Sequence, residues 1–420
     1  MPGHKGHGRL GVEAFDLTEI DGADVLYHEN GIILESESLA SSLFGTQRTF
    51  YSTEGSTLAI KAMLAAVATF TGKRRIIAAR NVHKAFVYGC ALLDLSVRWL
   101  FDENGDGHFL SCRISAEQLE RALEEEGDSV AAVYLTSPDY LGVMADVEGI
   151  ARVCHAHGVL LLVDNAHGAY LAHLEPSLHP IALGADMCAD SAHKTLPVLT
   201  GGAYLHISRN APMELVEHSQ RAMRLFASTS PSYLILASLD LCNEYILNSI
   251  KPRLARAIGW ARDVRALCKE LGIPLVDSDE PLKISIRMDD AVKEAFSAHG
   301  ICPEMCDGGV TVLMLSSEST QSDVERLCRA LKDVKVARSE EKSGDARVMR
   351  ESPRQIMSIR EAVLAKSERV LTRDAIGRVC AAPVVSCPPA VPIVVSGELI
   401  TERAAELSEL YGYNSIEVVL

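Results

Sequence analysis

Asp190-Ser-Ala-His-Lys-Thr-Leu-Pro197, followed by Val198-Leu-Thr-Gly-Gly-Ala-Tyr-Leu-His206, is the stretch whose reading decides the fold. It sets a lysine among Ser191, His193 and Thr195, between the small-residue run Gly184-Ala-Asp-Met-Cys-Ala189 and an apolar strand led by two glycines. Lysine is normally a surface residue, and burial without a partner lowers its pKa or drives it toward a chemical partner. A lysine held nearly neutral attacks carbonyls and forms Schiff bases. Taken alone, the same residues read more plainly as a surface loop that contains His-Lys. Upstream, however, Val159-Leu-Leu-Leu-Val163 is a continuous apolar run that predicts a buried parallel strand, and it ends in Asp164-Asn-Ala-His-Gly168. In open α/β sheets, ligands bind beyond the carboxyl ends of the strands, which is where Asp164 and His167 fall.

Length and composition bound what such a strand end can serve. A chain of 420 residues exceeds one compact core and suggests two or three domains. With 48% hydrophobic residues and a mean hydropathy of +0.10 it is globular. Its formal net charge of -15 argues against nucleic acid or an anionic membrane as the main partner. The apolar runs are short and the start, Met1-Pro-Gly-His-Lys-Gly-His-Gly8, is polar, so neither a signal peptide nor a membrane span is expected. Eleven cysteines without CxxC pairs read as reduced residues of a cytoplasmic protein. No metal-ligand spacing, P-loop or internal repeat appears, so no metal site is expected.

Outward from the lysine, strand and helix alternate. Leu34 to Phe44 shows a helix face. Gly55-Ser-Thr57 then opens an Ala-rich helix, where free backbone N–H groups and two hydroxyls form a phosphate cradle. Ordinary N-capping by Ser56 or Thr57 explains the same residues without a ligand. Arg75-Ile-Ile-Ala-Ala79 is a short strand that exits into Arg80-Asn-Val-His-Lys84. His83, at that junction, is placed to stack on a planar ring or to serve as a capping or core histidine. Val97–Leu100 and Val130–Leu135 are further strands, the second leaving through Thr136-Ser-Pro-Asp-Tyr140, and Ser115 caps a helix between them. This alternation predicts a doubly wound, mostly parallel sheet whose strand exits carry His83, Thr136, Asp164 and Lys194. A long helical stretch is expected from Tyr233 to about Leu271. Strands at 281–287 and 310–315 and helices near 289–298 and 321–333 make a small α/β domain; Glu304 and Asp307 lie in a loop between them, as a partner for a basic side chain or as solvated residues.

These residues also carry a family resemblance. Pro2-Gly-His-Lys-Gly6, Phe15-Asp-Leu-Thr-Glu-Ile20, Gly55-Ser-Thr57, Arg80-Asn-Val-His-Lys84, Thr136-Ser-Pro138, Val163-Asp-Asn-Ala-His-Gly168 and Ser191-Ala-His-Lys-Thr195 resemble the Orn/Lys/Arg decarboxylase major domain. Pro388-Pro-Ala-Val-Pro392 and Gly397-Glu-Leu-Ile-Thr401 resemble that family's C-terminal domain, so nearly the whole chain is covered. The length resembles short forms without an N-terminal wing domain, although Met1 abuts the Pro2-Gly-His motif and leaves the completeness of the start open.

The resemblance implies an α/β fold of the fold-type-I, aminotransferase-like class: a three-layer sandwich with a mostly parallel sheet, plus small C-terminal α/β domains. The expected divisions are an N-terminal arm (1–45), a cofactor-binding large domain (46–250), a small α/β domain (251–335), a charged linker (336–357) and a C-terminal domain (358–420). The implied cofactor is pyridoxal 5'-phosphate (PLP). Lys194 would hold it as a Schiff base, Asp164 would pair with its pyridine nitrogen, and His83 would stack on the ring. Gly55, Ser56, Thr57 and Ser191 would hold the phosphate, His193 would stand beside the Schiff base, and His167 would be a further cofactor-binding residue. Thr229 and Ser230, in Ser228-Thr-Ser-Pro-Ser232, would reach the phosphate of a neighbouring subunit, in a homodimer or higher even homo-oligomer. Glu304 and Asp307 are candidates for the substrate side chain. One departure stands out: many members have Asp-Glu-Ala-His where this chain has Asp164-Asn165-Ala166-His167. The expected reaction is decarboxylation of arginine, lysine or ornithine to the corresponding amine, in polyamine or diamine formation. Transamination, aldol cleavage or a non-catalytic PLP-binding role are the alternatives that the same site allows.

Overall fold

The computed structural model describes residues 2–28, 30–103, 108–335, 353–385 and 390–420. The first part of the expected linker (336–352), and Pro388 and Pro389, lie outside the described residues. The strands are β1 (Arg48–Ser52), β2 (Arg75–Ala79), β3 (Ser96–Leu100), β4 (Val130–Thr136), β5 (Leu160–Asp164), β6 (Met187–Asp190), β7 (Ala203–Ile207), β8 (Lys283–Ile286), β9 (Met305–Asp307), β10 (Val310–Met314), β11 (Ser367–Leu371) and β12 (Ser415–Val419). The helices are α1 (Ile32–Phe44), α2 (Gly55–Thr71), α3 (Lys84–Leu93), α4 (Ala116–Glu126), α5 (Val147–Ala156), α6 (Ala192–Thr195), α7 (Glu214–Phe226), α8 (Tyr233–Asn248), α9 (Ile250–Glu270), α10 (Asp290–Ala298), α11 (Gln321–Lys332), α12 (Ile359–Leu364) and α13 (Glu402–Leu410). The large sheet has seven strands in the order β1-β7-β6-β5-β4-β2-β3. No helix among the described residues is long and apolar enough to cross a membrane.

The chain divides into two compact units. The first comprises Met1–Ile76, Ala116–Ser137 and Asp146–Pro252. Here β4, β5 and β6 pair in parallel, with Thr136 opposite Asp164 and Asp164 opposite Ala189. Strand β7 runs antiparallel to β6 and to β1. Leu161, Leu162 and Val163 are fully buried, as a parallel strand covered on both faces requires. Helix α2 lies against α7 and against β6 and β7, and the left-handed Gly72 stops it. The long helical stretch expected from Tyr233 to about Leu271 is made of two helices, interrupted at Ser249. Pro252 is the reason: a proline has no N–H for a continuous ladder but is tolerated in the first turn, which is where the restart at Ile250 puts it.

The second unit comprises Ile77–Ser115, Pro138–Ala145 and Arg253–Leu420. It holds the antiparallel sheet β8-β10-β9, the α10–α11 pair, and β11 paired with β12. Its core includes Phe109, Leu141, Val312, Val394, Leu407 and Val418. Lys283 is fully buried and donates through Nζ to the carbonyls of Asp139 (2.8 Å) and Tyr140 (3.1 Å), fixing the turn that contains them. Arg80, just past β2, is also buried; its Nη2 donates to Ile393 O (3.1 Å) and Glu398 Oε2 (3.0 Å). Lys84 N donates to Ala390 O (2.9 Å) at one end of α3, and Arg360 donates to Ala91 O and Leu92 O at the other. Residues 390–398 and α12 thereby grip the loop and helix that follow β2. Gly397 (φ 88°) sits where an added Cβ would lie 2.3 Å from Met357 O. Gly397→Ala is expected to cost roughly 1–3 kcal/mol of stability, to be read from thermal melts of the parent and variant.

Candidate active site

In the first unit, two neighbouring strand ends present the chemistry. Asp164 closes β5, and its carboxylate is buried. Oδ1 accepts from Ala166 N (3.1 Å), and Tyr134 OH donates to Oδ2 (3.3 Å). Burial pushes the Asp164 pKa up to about 6 although Lys194 opposes it. Strand β6 ends at Asp190, and the chain turns through Ser191 into the single helical turn α6 that carries Lys194. Lys194 is half-buried, and its Nζ lies 3.1 Å from His167 Nε2. An ammonium there donates to that nitrogen. His193 Nδ1 lies 3.0 Å from Gly202 O, an acceptor, so Nδ1 carries the proton of the neutral ring and Nε2 does not. Burial, with Lys194 nearby, lowers the His193 pKa and favours that neutral form.

The start of α2 completes this group. Ser191 Oγ donates to Ser56 Oγ (2.7 Å). Glu54 holds the N-cap position without a side-chain cap, so Ser56 and Thr57 lie inside the first turn and are not N-caps. Gly55 takes φ 71° while its N–H donates to Gly201 O (2.7 Å). Thr57 is exposed, as are Thr229 and Ser230. Ser228 N donates to Glu54 Oε1 (2.6 Å), which moors that loop to the residue before α2. The structure thus brings Lys194 onto His167 and Ser191 onto Ser56. The hydroxyls of Thr136 and Thr195 are buried without a hydrogen-bond partner among the described residues.

His83, Glu304 and Asp307 belong to the second unit. His83 is the N-cap of α3 and accepts from Ala85 N through Nδ1 (3.1 Å), so the capping alternative holds for that nitrogen and the imidazole proton sits on Nε2. Glu304 Oε1 accepts from Tyr140 OH (3.1 Å). Asp307 pairs with Val310 through the backbone in β9, and its side chain lies outside the described residues.

A second buried cluster went unread in the sequence. Asp190, fully buried, accepts from Asn165 Nδ2 (2.8 Å) and Cys188 Sγ (3.2 Å) on Oδ1, and from His179 Nε2 (3.0 Å) on Oδ2. His206 Nε2 stands 3.3 Å from Oδ2. Ligand-type atoms of His179, Cys188 and Asp190 lie within 4.8 Å of one another. His179 Nδ1 accepts from Ile181 N (3.3 Å), however, which leaves the proton on Nε2 and makes the ring a donor to Asp190. The signal available in the sequence was a carboxylate at the inner end of the apolar run Met187-Cys-Ala189.

Comparison with known proteins identifies the family and the fold. The family model described as Orn/Lys/Arg decarboxylase, major domain, matches residues 11–301, and the model of the family's C-terminal domain matches 343–412. An arginine decarboxylase of Bacillus anthracis is 28% identical, covering 97% of this chain and 88% of its own. An arginine decarboxylase of Bacillus subtilis (strain 168) is 29% identical, covering 96% of this chain and 88% of its own. Among solved structures, the Francisella novicida lysine decarboxylase superposes with a TM-score of 0.78 at 18% identity, over 100% of this chain and 78% of that one. The constitutive lysine decarboxylase of E. coli gives 0.74 at 18% identity, over 99% and 77%. At that identity the two structures speak to the fold, which is the fold-type-I, mostly parallel α/β class expected from the sequence.

Proposed function

Because the chain belongs to the Orn/Lys/Arg decarboxylase family, and is therefore a PLP-dependent amino-acid decarboxylase, we propose that its substrate is L-arginine and its products are agmatine and CO2. Two curated relatives that cover nearly the whole chain carry the name arginine decarboxylase, and this supports arginine over lysine and ornithine. Glu304, held by Tyr140, offers a carboxylate of the kind that a guanidinium binds in bidentate fashion. Asp307 is proposed as a second candidate for the substrate side chain.

The residues present fit PLP. A buried carboxylate at the end of β5, an amine on α6 and paired hydroxyls at the start of α2 match the ring nitrogen, aldehyde and phosphate of that molecule in chemical type. The two orphaned threonine hydroxyls in the same unit are what a site awaiting a polar ligand would show. Bound PLP supplies an electron-accepting ring for the electrons of the broken Cα–carboxylate bond. In this reading Lys194 holds the aldehyde carbon, Asp164 keeps a proton on the ring nitrogen, and His83 covers the ring. Gly55, Ser56, Thr57 and Ser191 hold the phosphate, joined by Thr229 and Ser230 of a second copy. His193, neutral with its proton turned to Gly202 O, is the weaker acid, so Lys194 delivers the proton that replaces CO2 and His167 Nε2, 3.1 Å away, orients it.

The carrying observation is the adjacent pair of strand ends, with Asp164 on one and Ser191–Lys194 on the next. The test is to incubate PLP-loaded protein with L-arginine, L-lysine or L-ornithine and to identify products by mass spectrometry together with CO2. Agmatine with matching CO2 is expected. Cadaverine or putrescine would overturn the arginine assignment, and keto acid without CO2 would replace decarboxylation with transamination.

The Asp164 pKa gives a prediction with a definite sign. Its value in the folded chain is raised, so below about pH 6 the carboxyl holds a proton that it must shed before it can keep one on the ring nitrogen. PLP affinity should therefore fall by up to about tenfold per pH unit below that value. Titrations at stepped pH for the parent and for Asp164→Asn isolate this contribution; parallel profiles would contradict it.

An even homo-oligomer in the cytoplasm completes the proposal. Leu10, Phe15 and Ile32 are exposed at 83%, 71% and 56%. Phe15 and Ile32 also line a groove of about 700 Å³ with Leu17, Leu39 and Leu236, the kind of apolar surface that a second copy would cover. Sedimentation of the intact protein reads the assembly directly.

A further inference from the structure

The buried cluster around Asp190 sits between the two strand ends of the site, and its chemistry is specific. Asp190 is the last residue of β6, four positions before Lys194; Asn165 is the first residue after β5, next to Asp164. Both are fully buried. The backbone joins them loosely, with Asn165 N donating to Ala189 O (2.9 Å), and the side chains join them again through Asn165 Nδ2 and Asp190 Oδ1 (2.8 Å). The other carboxylate oxygen is held by His179, and His206 stands beside it with its Nδ1 against Thr49 Oγ1 (2.9 Å). Phe44 covers the His206 ring at 4.5 Å between centroids, which keeps water from the group.

A buried carboxylate tolerates donors and rejects another acceptor at hydrogen-bond distance. The residue at 165 must therefore offer an N–H: an amide does so, whereas a carboxylate would set two negative charges 2.8 Å apart, with histidines but no arginine or lysine against Asp190 among the described residues. The charge at 190 also fixes the orientation of the amide, because turning it would face its oxygen to the carboxylate. We propose that Asn165 and Asp190 form a matched pair of positioning residues, in which the buried Asp190 charge, passed through the Asn165 amide, sets how Asp164 stands relative to Lys194. The proposal rests on the reading that Asp164 and Lys194 hold the cofactor. It also accounts for an amide at 165: with Asp190 behind it, a carboxylate there is the wrong partner.

The test uses the full chain with PLP and four variants: Asn165→Asp, Asn165→Ala, Asp190→Asn, and the exchange Asn165→Asp with Asp190→Asn. For each, the dissociation constant for PLP, the visible absorption of the loaded protein and the apo melting temperature are measured. Misplacement of one group by about 1 Å costs on the order of a hundredfold, so Asn165→Asp should weaken PLP binding by about that factor and shift the absorption band. The exchange variant should recover at least about tenfold of this loss, the non-additivity that contacting groups show. If Asn165→Asp fails to fold, Asn165→Ala and Asp190→Asn must still weaken binding and move the band. Variants that melt lower but keep the parent affinity and spectrum would overturn the proposal and leave the pair a structural one. The same holds if the exchange is no better than the worse single variant. A Lys194→Ala protein that keeps the parent absorption band would overturn the cofactor reading, and this proposal with it.

Discussion

Lys194→Ala should lose decarboxylation by about a thousandfold or more, with the fold intact. The side chain sits half-buried on one turn of helix, and that turn is held by the backbone, through Lys194 N to Ser191 O (3.1 Å) and Leu196 N to Ala192 O (2.8 Å). Alanine keeps both bonds and favours the helical turn. What disappears is the amine, which no neighbour replaces: His167 and His193 are imidazoles, and the second of them is neutral with its proton committed to Gly202 O. The checks are single-turnover CO2 release with saturating arginine and a thermal melt. Release at the parent rate would remove Lys194 from the chemistry. A collapse of the melt would show that the lysine serves the fold instead.

Glu398→Ala should be the most destabilising single change in the second unit, at about 3–5 kcal/mol. Glu398 is fully buried and Arg80 nearly so, and the pair closes at 3.0 Å. Truncation strands a guanidinium whose Nε and Nη1 already lack hydrogen-bond partners among the described residues. Val395 N loses its acceptor as well (2.7 Å). The partner change Arg80→Met with Glu398→Met should cost less than Glu398→Ala alone, because no charge is left behind. Urea titration of the three proteins reads the order; a Glu398→Ala midpoint equal to the parent's would mean that water reaches this pair.

The parts of the site that were legible in the sequence are those written within a few residues. Strand β5 is an apolar run closed by Asp164, and the helix after Gly55 announces itself by its alanines, so the strand ends and the lysine turn could be placed. Pro252 was a local signal that went unused, and it splits the long helix where the rule for proline says it must. The role of Ser56 and Thr57 turned on a two-residue question, where α2 begins, which hydroxyl-rich composition does not answer. The Asp190 cluster draws Thr49, Asn165, His179 and His206 from separate elements, and Arg80 meets Glu398 across 318 positions. No spacing rule links such residues, because tertiary packing alone brings them together.

The grip of residues 390–398 on the Arg80–Lys84 loop also sets an order in time. A ribosome adding about 5–20 residues per second needs roughly 15–60 s to travel from one partner to the other. Throughout that interval the nascent chain holds Arg80 without Glu398 and Lys84 without Ala390 O. Arg80 and Lys84 gain these partners only after residues 390–398 have been made, so the loop between them, which carries His83, cannot be fixed early.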